Sequence, residues 1–391
     1  EESSFHMLLT GMPHVPEPLA ELFQRIFYSF AFSIICAAVV LSIVGVLLLR
    51  KVLHRCSCPI CAKHYKLLKR LGAGAYGEVW LAKAVVSSES KIARRSSTLQ
   101  QKWGILGSLV DMRAVKWIVV DDMKSANHAM DEAMKLARLG SHPNIVEMHE
   151  QFIHSTIRDA ISLQSPYKFC MVMELCTGGS LFDMLRKPGN EAGLPVNQCL
   201  GILGQLMAGV EAMHAQDIIH GDLKPENIFA ADNYTFKIGD LGLAQTLSRK
   251  KFISMGTPAY MAPEVLDHSQ PYDERADLWS MGVIFLDMLF GLDQTTLLDL
   301  LWIDNGITAP FKTVAAAFLA LNEDKATKMI CSTPKLASVK GLRELQLKML
   351  MVEAKRRWSA AKLKDEITKL SRANHPSPFC YSSSLERSNT L

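Results

Sequence analysis

The sequence predicts an α+β fold that follows one apolar helix, and three observations support this prediction. Residues 27–49 form an uncharged, mostly apolar run. After Tyr65 the pattern changes to short stretches rich in β-branched residues, which are typical of strands. A helical stretch follows, with Glu132 near its middle. The chain has 391 residues, of which 49% are hydrophobic and 21% are charged, and this composition excludes collagen-like, disordered and disulfide-scaffold proteins.

The run 27–49 is long enough to cross a membrane. As a helix it spans roughly 34 Å, and a hydrocarbon core is about 30 Å thick. A signal peptide has a basic leader and an apolar core of about 7–15 residues, whereas this leader is acidic and the run is longer. We therefore predict a transmembrane helix. The alternative is a soluble protein in which residues 27–49 pack against the body.

Basic residues are concentrated on the C-terminal side of this run. Residues 50–70 carry seven Lys or Arg and no acidic side chain. Since Lys and Arg favour the cytosolic side, we expect residues 1–26 to be extracytosolic and the body to be cytosolic. The basic segment is expected to attract anionic lipid of the bilayer, or else it serves only as a stop-transfer flank. The remaining body is neutral, so nucleic-acid binding is not indicated.

Three cysteines lie in the segment 50–64, directly after the predicted span. Cys56, Cys58 and Cys61 are candidates for acylation. They are also candidates for a structural zinc site, which needs a fourth ligand that His54 or His64 could supply. The third alternative is that they have neither role.

A Gly-x-Gly-x-x-Gly pattern occurs at Gly72, Gly74 and Gly77. Glycine lets the backbone approach phosphate oxygens closely, because no Cβ intervenes. Dinucleotide-binding folds place the same spacing before a helix, but here residues 78–82 alternate like a strand. The sequence therefore predicts a glycine flap between two strands.

One lysine, Lys116, interrupts a β-branched run. A buried lysine is costly unless it is paired, although a lysine on an edge strand could face water instead. Glu132 in the following helical stretch is a candidate partner, and a Lys–Glu pair that reaches nucleotide phosphates would explain both charges. Lys83 is the only competitor, and it is too close to the glycines.

The densest group of polar residues contains Asp222, Lys224, Asn227 and Asp240, in two short segments between apolar stretches. This set suits phosphoryl transfer. One Asp can accept a hydroxyl proton, Asn and a second Asp can hold magnesium, and Lys can neutralise charge on the moving group.

Together and in this order, the motifs resemble those of the eukaryotic protein kinase family over residues 65–370. The resemblance implies a two-lobed fold, in which a small antiparallel sheet with one helix lies over a mainly helical lobe and ATP binds between the lobes. The catalytic residues that it implies are Asp222, Lys224, Lys116 and Glu132, with Asn227 and Asp240 as ligands of Mg²⁺ or alternatively Mn²⁺. The nucleotide-binding residues that it implies are Gly72, Ala73, Gly74, Gly77, Val79, Ala114, Lys116, Met173, Glu174, Cys176 and Phe229.

Further motifs extend the resemblance to the C-terminal half. Residues 256–264 match the end of the activation segment, and residues 277–282 match a central helix of the family. By the same resemblance, Arg357 is placed to pair with Glu264.

The resemblance is to the serine/threonine branch, because Lys224 follows Asp222 by two residues and Thr257 precedes the Ala-Pro-Glu motif. It implies transfer of the γ-phosphoryl group of Mg-ATP to Ser and Thr hydroxyls of protein substrates. The alternative is a membrane-tethered pseudokinase that binds nucleotide or acts as a scaffold. That class is marked by loss of a catalytic residue, and none is lost here.

Two substitutions depart from the family. Gly221 stands where most members carry an arginine that binds a phosphate on the activation loop. We therefore expect that activity does not require phosphorylation of Thr246, Ser248 or Ser254, unless the basic residues 249–251 replace that arginine. Leu241 replaces the usual phenylalanine of the Asp-Phe-Gly motif, and only modest repacking is expected.

Two segments are expected to lie outside the compact fold. Residues 87–112 form an insertion before Lys116, and it includes an Arg-Arg-Ser-Ser stretch at 94–97. Such a long loop is either functional or disordered, so this stretch is a regulatory phosphorylation site or part of a floppy insertion. The tail 371–391 has few apolar residues and is predicted to be disordered.

Overall fold

A computed structural model shows that the protein has one N-terminal helix followed by two lobes. The predicted α+β, two-lobed fold is confirmed. The described residues are 17–53, 56–74, 77–85, 112–155, 167–232, 235–246, 256–266, 272–291, 315 and 334–374. The predicted insertion lies outside them except for Met112, and so does the Arg-Arg-Ser-Ser stretch at 94–97.

Helix α1 spans Glu17–Leu53 and contains the predicted apolar run. Its stretch Tyr28–Val46 has a mean hydropathy of 2.5, and the described structure buries none of it. This one helix is therefore long and apolar enough to cross a membrane. The described residues do not show the alternative packing against the body. The helix also extends beyond the predicted span 27–49 at both ends, where it includes polar and charged residues.

The small lobe is a five-stranded antiparallel sheet in the order β1-β2-β3-β5-β4. One face buries a compact cluster to which Tyr65, Val115 and Val172 contribute. Because β-strand side chains alternate between the two faces, Lys116 and its partner Met171 lie on the opposite face, where Met171 and Phe169 belong to the large core cluster. The strands are β1 (Tyr65–Gly74), β2 (Gly77–Ala84), β3 (Met112–Val119), β4 (Met148–Ser155) and β5 (Tyr167–Glu174).

Helix α2 (Met123–Leu139) packs against this sheet. It begins at Asp122, whose side chain accepts a hydrogen bond of 2.7 Å from the backbone N–H of Ser125. This cap satisfies an N–H group that has no partner within the helix. The buried face carries apolar residues at helical spacing and one charged residue, Glu132. The fold thus aims a carboxylate into the interior beside β3.

The large lobe is mainly helical and surrounds α6 (Arg275–Phe290). Every residue of α6 from Ala276 to Leu289 is buried, which explains why this helix is apolar on all sides. The other helices are α3 (Leu181–Leu185), α4 (Val196–His214), α5 (Pro263–Leu266), α7 (Pro334–Ala337), α8 (Leu342–Met349) and α9 (Ala360–Asn374). The short strands are β6 (Ile218–Ile219), β7 (Ile228–Ala230), β8 (Phe236–Ile238) and β9 (Gln245–Thr246).

Helix α9 corrects the predicted start of the disordered tail. The helix continues past Ser371 to Asn374, because Ile367 is buried against α4 and Leu370 packs on the core. The rest of the predicted tail lies outside the described residues.

Candidate active site

The predicted glycine flap is the hairpin of β1 and β2. Gly72 pairs with Val79, Ala73 with Glu78, and Gly74 with Gly77. The described residues place nothing within 4 Å of a Cβ built on Gly72 or Gly74. These two glycines therefore leave open space where the sequence predicts phosphate binding.

Gly77 has a different reason to be glycine. Its φ is 130°, which L side chains rarely adopt, and a Cβ there would lie 1.9 Å from the backbone oxygen of Trp117 in β3. Gly77 therefore lets β2 pass close to β3, and a larger residue would separate the two strands.

Lys116 lies in β3 opposite Val79, and its side chain is buried. Its Nζ donates to Glu132 Oε1 of α2 at 2.7 Å and to Asp240 Oδ1 at 2.8 Å. Burial alone would lower the pKa of Lys116, but the two carboxylates outweigh burial and raise it. Lys83, the competitor, is exposed. The structure thus brings Lys116, Glu132 and Asp240 together from three separate segments.

Asp240 follows β8 in a left-handed backbone conformation, with φ 59° and ψ 72°. Burial disfavours its charged form, but the neighbouring Lys116 ammonium outweighs burial and lowers the pKa of Asp240. Its side chain remains 39% exposed. A charged carboxylate with one oxygen bonded to Lys116 and part of its surface open can accept a cation.

Asp222 lies in the loop between β6 and β7, where several groups fix its carboxylate. Oδ1 accepts hydrogen bonds from the backbone N–H of Thr257 at 2.8 Å and from the Thr257 hydroxyl at 3.0 Å. Lys224 Nζ lies 2.9 Å from Oδ2 and also donates to Thr257 Oγ1 at 2.7 Å. The acid, the lysine and the threonine therefore form one closed triangle.

Asn227 completes this loop. Its side-chain Nδ2 donates to the backbone oxygen of Asp222 at 2.8 Å and to Asp222 Oδ2 at 3.2 Å. Because the nitrogen of the amide is held in this way, its carbonyl oxygen is left for another partner. Asn227 and Asp240 thus supply an all-oxygen donor set, which is the type that Mg²⁺ or Mn²⁺ takes, and the residues fit the implied metal.

The loop between β6 and β7, which carries Asp222, is held by Asp277 of α6. Its carboxylate accepts hydrogen bonds from the backbone N–H groups of His220 at 2.9 Å and Gly221 at 3.0 Å. It also lies 2.9 Å from Nε2 of His214 in α4. Burial would raise the pKa of Asp277, but His214 and the other donors outweigh burial and lower it. The backbone beside Asp222 is therefore tied to a buried charge.

Gly221, one of the two residues that depart from the family, has a positive φ of 75°.

Leu241, the other, is fully buried in the large core cluster with Leu136, and Met148 packs against that cluster. Leucine at position 241 thus fills a buried apolar position.

Four of the predicted nucleotide-binding residues, Met173, Glu174, Cys176 and Phe229, lie at the end of β5, just after it and in β7. Met173 pairs with Ala114 of β3. The side chain of Glu174 is used structurally, because it forms an ion pair of 2.8 Å with Lys237. Burial raises the pKa of Cys176 to about 12, so its thiol is neutral.

Phe229 lies in β7, and its ring would be 2.9 Å from a Cβ at Gly239. The ring therefore packs directly on the strand end that leads to Asp240.

The predicted pair of Glu264 and Arg357 is present in the structure. Nη1 and Nη2 of Arg357 donate to the two carboxylate oxygens of Glu264 at 2.5 and 2.7 Å. The guanidinium also lies 5.2 Å from the ring centroid of Trp279. Since Arg357 is buried, this bidentate pair fixes the end of the activation segment to the large lobe.

The sequence assigned no contact in this site to two of its residues. Thr257 entered only as a branch marker, although its hydroxyl bonds both Asp222 and Lys224. His214 was not singled out, and only the fold brings it to Asp277. The position of Thr257 shortly before the Ala-Pro-Glu motif could have indicated a contact with Asp222. A lone His near the end of a helix, such as His214, carries no such indication.

Much of this chain is similar in sequence to known proteins. The protein kinase domain family matches residues 107–368. The chain is 32% identical over 236 residues to the human serine/threonine-protein kinase Nek11, which is 59% of this chain and 31% of that protein. It is 30% identical over 227 residues to cAMP-dependent protein kinase type 3 of Saccharomyces cerevisiae, covering 58% and 48% respectively. It is 29% identical over 290 residues to serine/threonine protein kinase OSK3 of Oryza sativa subsp. indica, covering 73% and 50%.

The chain thus spans a third to a half of the length of these relatives. The family match begins at residue 107, after the glycine hairpin. The structure nevertheless pairs that hairpin with β3 in a continuous register from Glu78 to Lys83.

Proposed function

Because the chain belongs to the protein kinase family, we propose that it transfers the γ-phosphoryl group of Mg-ATP to serine and threonine hydroxyls of protein substrates. The observation that carries this proposal is the assembled contact of Lys116 Nζ with both Glu132 and Asp240. This contact joins the small lobe, its helix and the metal-ligand segment into one arrangement. An intact arrangement of this kind is what phosphoryl transfer requires.

In the proposed reaction, Asp222 accepts the proton of the attacking hydroxyl. Thr257 and Asn227 hold its carboxylate in one orientation, so little reorganisation is needed when the substrate arrives. The Lys224 ammonium lies beside it and neutralises charge that develops on the transferred group. Lys116 is placed to orient the nucleotide phosphates. Magnesium, when bound by Asn227 and Asp240, supplies further neutralisation of phosphate charge.

The acceptor class is proposed from one contact. Lys224 bonds the Thr257 hydroxyl at 2.7 Å, so the threonine of the activation segment lies directly beside the catalytic acid. A lysine two residues after the acid and a threonine before the Ala-Pro-Glu motif are also the features in which the sequence resembles the serine/threonine branch. The names of the similar proteins, which are serine/threonine kinases, support the same acceptor class.

We also propose that α1 anchors the protein in a membrane, with the catalytic lobes in the cytosol. The exposed apolar stretch Tyr28–Val46 and the basic residues 50–70 support this arrangement. Carbonate extraction of membranes tests it, because an integral protein stays in the pellet. Release into the supernatant would contradict anchoring, and a protease-protection assay on intact vesicles reports the orientation.

Catalysis is tested with Asp222→Asn in the full chain, using a peptide mixture with Ser, Thr and Tyr acceptors. Loss of the proton acceptor should lower kcat about 10²–10⁴-fold, whereas binding of Mg-ATP should persist because Lys116 and Asp240 are unchanged. The matched pair Lys116→Met and Lys83→Met separates the two lysines of the sheet. The first should lose activity and the second should keep it.

A wild-type chain that binds Mg-ATP but transfers no phosphate would overturn the enzyme proposal in favour of the pseudokinase. Phosphate found mainly on tyrosine would overturn the acceptor class alone.

A further inference from the structure

Four potential metal ligands converge where the chain enters the small lobe. Cys56, Cys58 and Cys61 lie before β1, and His154 lies in β4. One ligand atom from each lies within 4.8 Å of those of the other three. Cys58 Sγ is 3.2 Å from His154 Nδ1, and Cys61 Sγ is 3.6 Å from the same nitrogen. Residues far apart in sequence thus meet in one small cluster.

The backbone around these cysteines turns the sulfur atoms toward one point. The carbonyl of Cys58 accepts the N–H of Ala62 at 2.9 Å, which closes a helical turn. Within that turn, the N–H of Cys61 lies 3.4 Å from Cys58 Sγ and donates to it. Such N–H groups stabilise negative charge on sulfur and orient a metal-ligating thiolate.

The cluster is half-buried. Cys58 and His154 are 8% and 7% exposed, whereas Cys61 is exposed. The imidazole of His154 is held from the other side by the ring of Trp117, at a centroid distance of 5.7 Å. The ligand atoms are therefore pre-positioned by the fold, while one side stays open for an ion to enter.

We propose that Cys56, Cys58, Cys61 and His154 form a structural Zn²⁺ site. Three thiolates and one imidazole are a donor set that zinc takes in closed, four-coordinate structural sites. Magnesium and calcium prefer oxygen ligands, and the cluster offers none. When zinc binds, the thiol protons are released to solvent. Acylation of Cys58 is disfavoured because its sulfur is buried, so the geometry selects among the three roles that the sequence left open.

The fourth ligand differs from the one expected from sequence. His64 is exposed and outside the cluster, and its carbonyl accepts the N–H of Val85 at 2.7 Å. His54 lies outside the described residues. His154 is instead supplied by β4, which sequence spacing could not reveal.

The site would tie the segment that follows α1 to the far edge of the sheet. β1 and β4 are the two edge strands, yet the hydroxyl of Tyr65 at the start of β1 bonds Glu150 in β4. The sheet is thus curled so that its edges approach each other. Zinc held between Cys56 and His154 would close the curl beside that contact.

The test measures metal in the full chain, purified in detergent without chelators. Elemental analysis should find about one zinc per chain, and Co²⁺ substituted for it should show thiolate-to-metal charge-transfer absorption. Cys58→Ser and His154→Ala should lose both signals. The matched controls His64→Ala and Cys36→Ser, at residues outside the cluster, should keep them. Chelation should lower the melting temperature of the wild type, and added Zn²⁺ alone should restore it.

Each other outcome counts against the proposal. A wild type that holds no zinc and gains no stability from Zn²⁺ overturns the site. Iron in place of zinc overturns the identity of the metal. Acyl groups or a disulfide on these cysteines, detected by mass spectrometry, overturn the role. Zinc lost in His64→Ala but kept in His154→Ala overturns the ligand set. The wild-type metal content and melting shift do not depend on whether any variant folds.

Discussion

The loop that carries Asp222 and the glycine hairpin of β1 and β2 are held in place in different ways. The Asp222 carboxylate is bonded by Thr257 and lies beside Lys224, and the backbone before it is bonded to Asp277. The hairpin pairs with β3 along one strand, and the described residues leave open space around Gly72. The Asp222 carboxylate is therefore fixed by several contacts, whereas the described residues leave open space beside Gly72 and Gly74.

The largest effect is expected at the support of the catalytic loop. Asp277→Asn replaces a buried carboxylate, so His214 and two backbone N–H groups lose the charge that pairs with them. We expect the free energy of unfolding to fall by about 3–5 kcal/mol, as for other broken buried pairs. Chemical denaturation of the full chain in detergent measures it. If the free energy of unfolding fell by less than about 1 kcal/mol, the loop that carries Asp222 would not depend on Asp277. The contrast between this loop and the hairpin would then be wrong.

The same variant should also change how the stability of the protein depends on pH. The folded-state pKa of Asp277 is lowered below the unfolded value of about 3.9. Its contribution to stability is therefore present above about pH 4 and is lost as pH falls through the folded pKa. The wild type should lose stability more steeply than Asp277→Asn below about pH 4. Equal slopes would show that Asp277 does not titrate in this way.

The part of the site that could be predicted is the part encoded in short, contiguous segments. Asp222, Lys224 and Asn227 lie within one turn of chain, so their residue types and spacing already suggest the chemistry that the structure assembles. The pairing of Lys116 with Glu132 was inferred from two costly charges in apolar surroundings, and the ion pair of 2.7 Å is present.

The rest depends on contacts between distant segments. His154 meets Cys58 across 96 residues, only because β4 is an edge strand and the sheet curls. His214 meets Asp277 across 63 residues. The extent of α1 was also underestimated, because a hydrophobicity pattern marks the span that lipid can cover and not where backbone hydrogen bonding ends.

A smaller effect is expected in the hairpin, and it should be confined to one glycine. Gly77→Ala places a Cβ 1.9 Å from the Trp117 oxygen at a φ of 130°. Strained backbone of this kind costs about 1–3 kcal/mol, so the variant should melt at a lower temperature and bind ATP less tightly. The matched control Gly72→Ala has nothing within 4 Å and should melt like the wild type. If both variants melted alike, the hairpin would not be held through Gly77.

The smallest effect is expected when the hydroxyls of the activation loop are removed. Gly221 provides no side chain to bind a loop phosphate, and its N–H is used by Asp277 instead. The triple variant of Thr246, Ser248 and Ser254 to Ala should keep kcat within about twofold, as for substitutions that change free energies by no more than about 0.5 kcal/mol. Ser248 and Ser254 lie outside the described residues, so this prediction is based on Gly221 alone.

Thr257→Ala is the control for this variant, because its hydroxyl belongs to the same segment but bonds Asp222 and Lys224. It should lose most of the activity when both variants are assayed with the same peptide mixture. An inactive triple variant would overturn the expectation that activity does not require phosphorylation of this loop. The loop that carries Asp222 would then depend on a phosphate in addition to its contacts with Thr257 and Asp277.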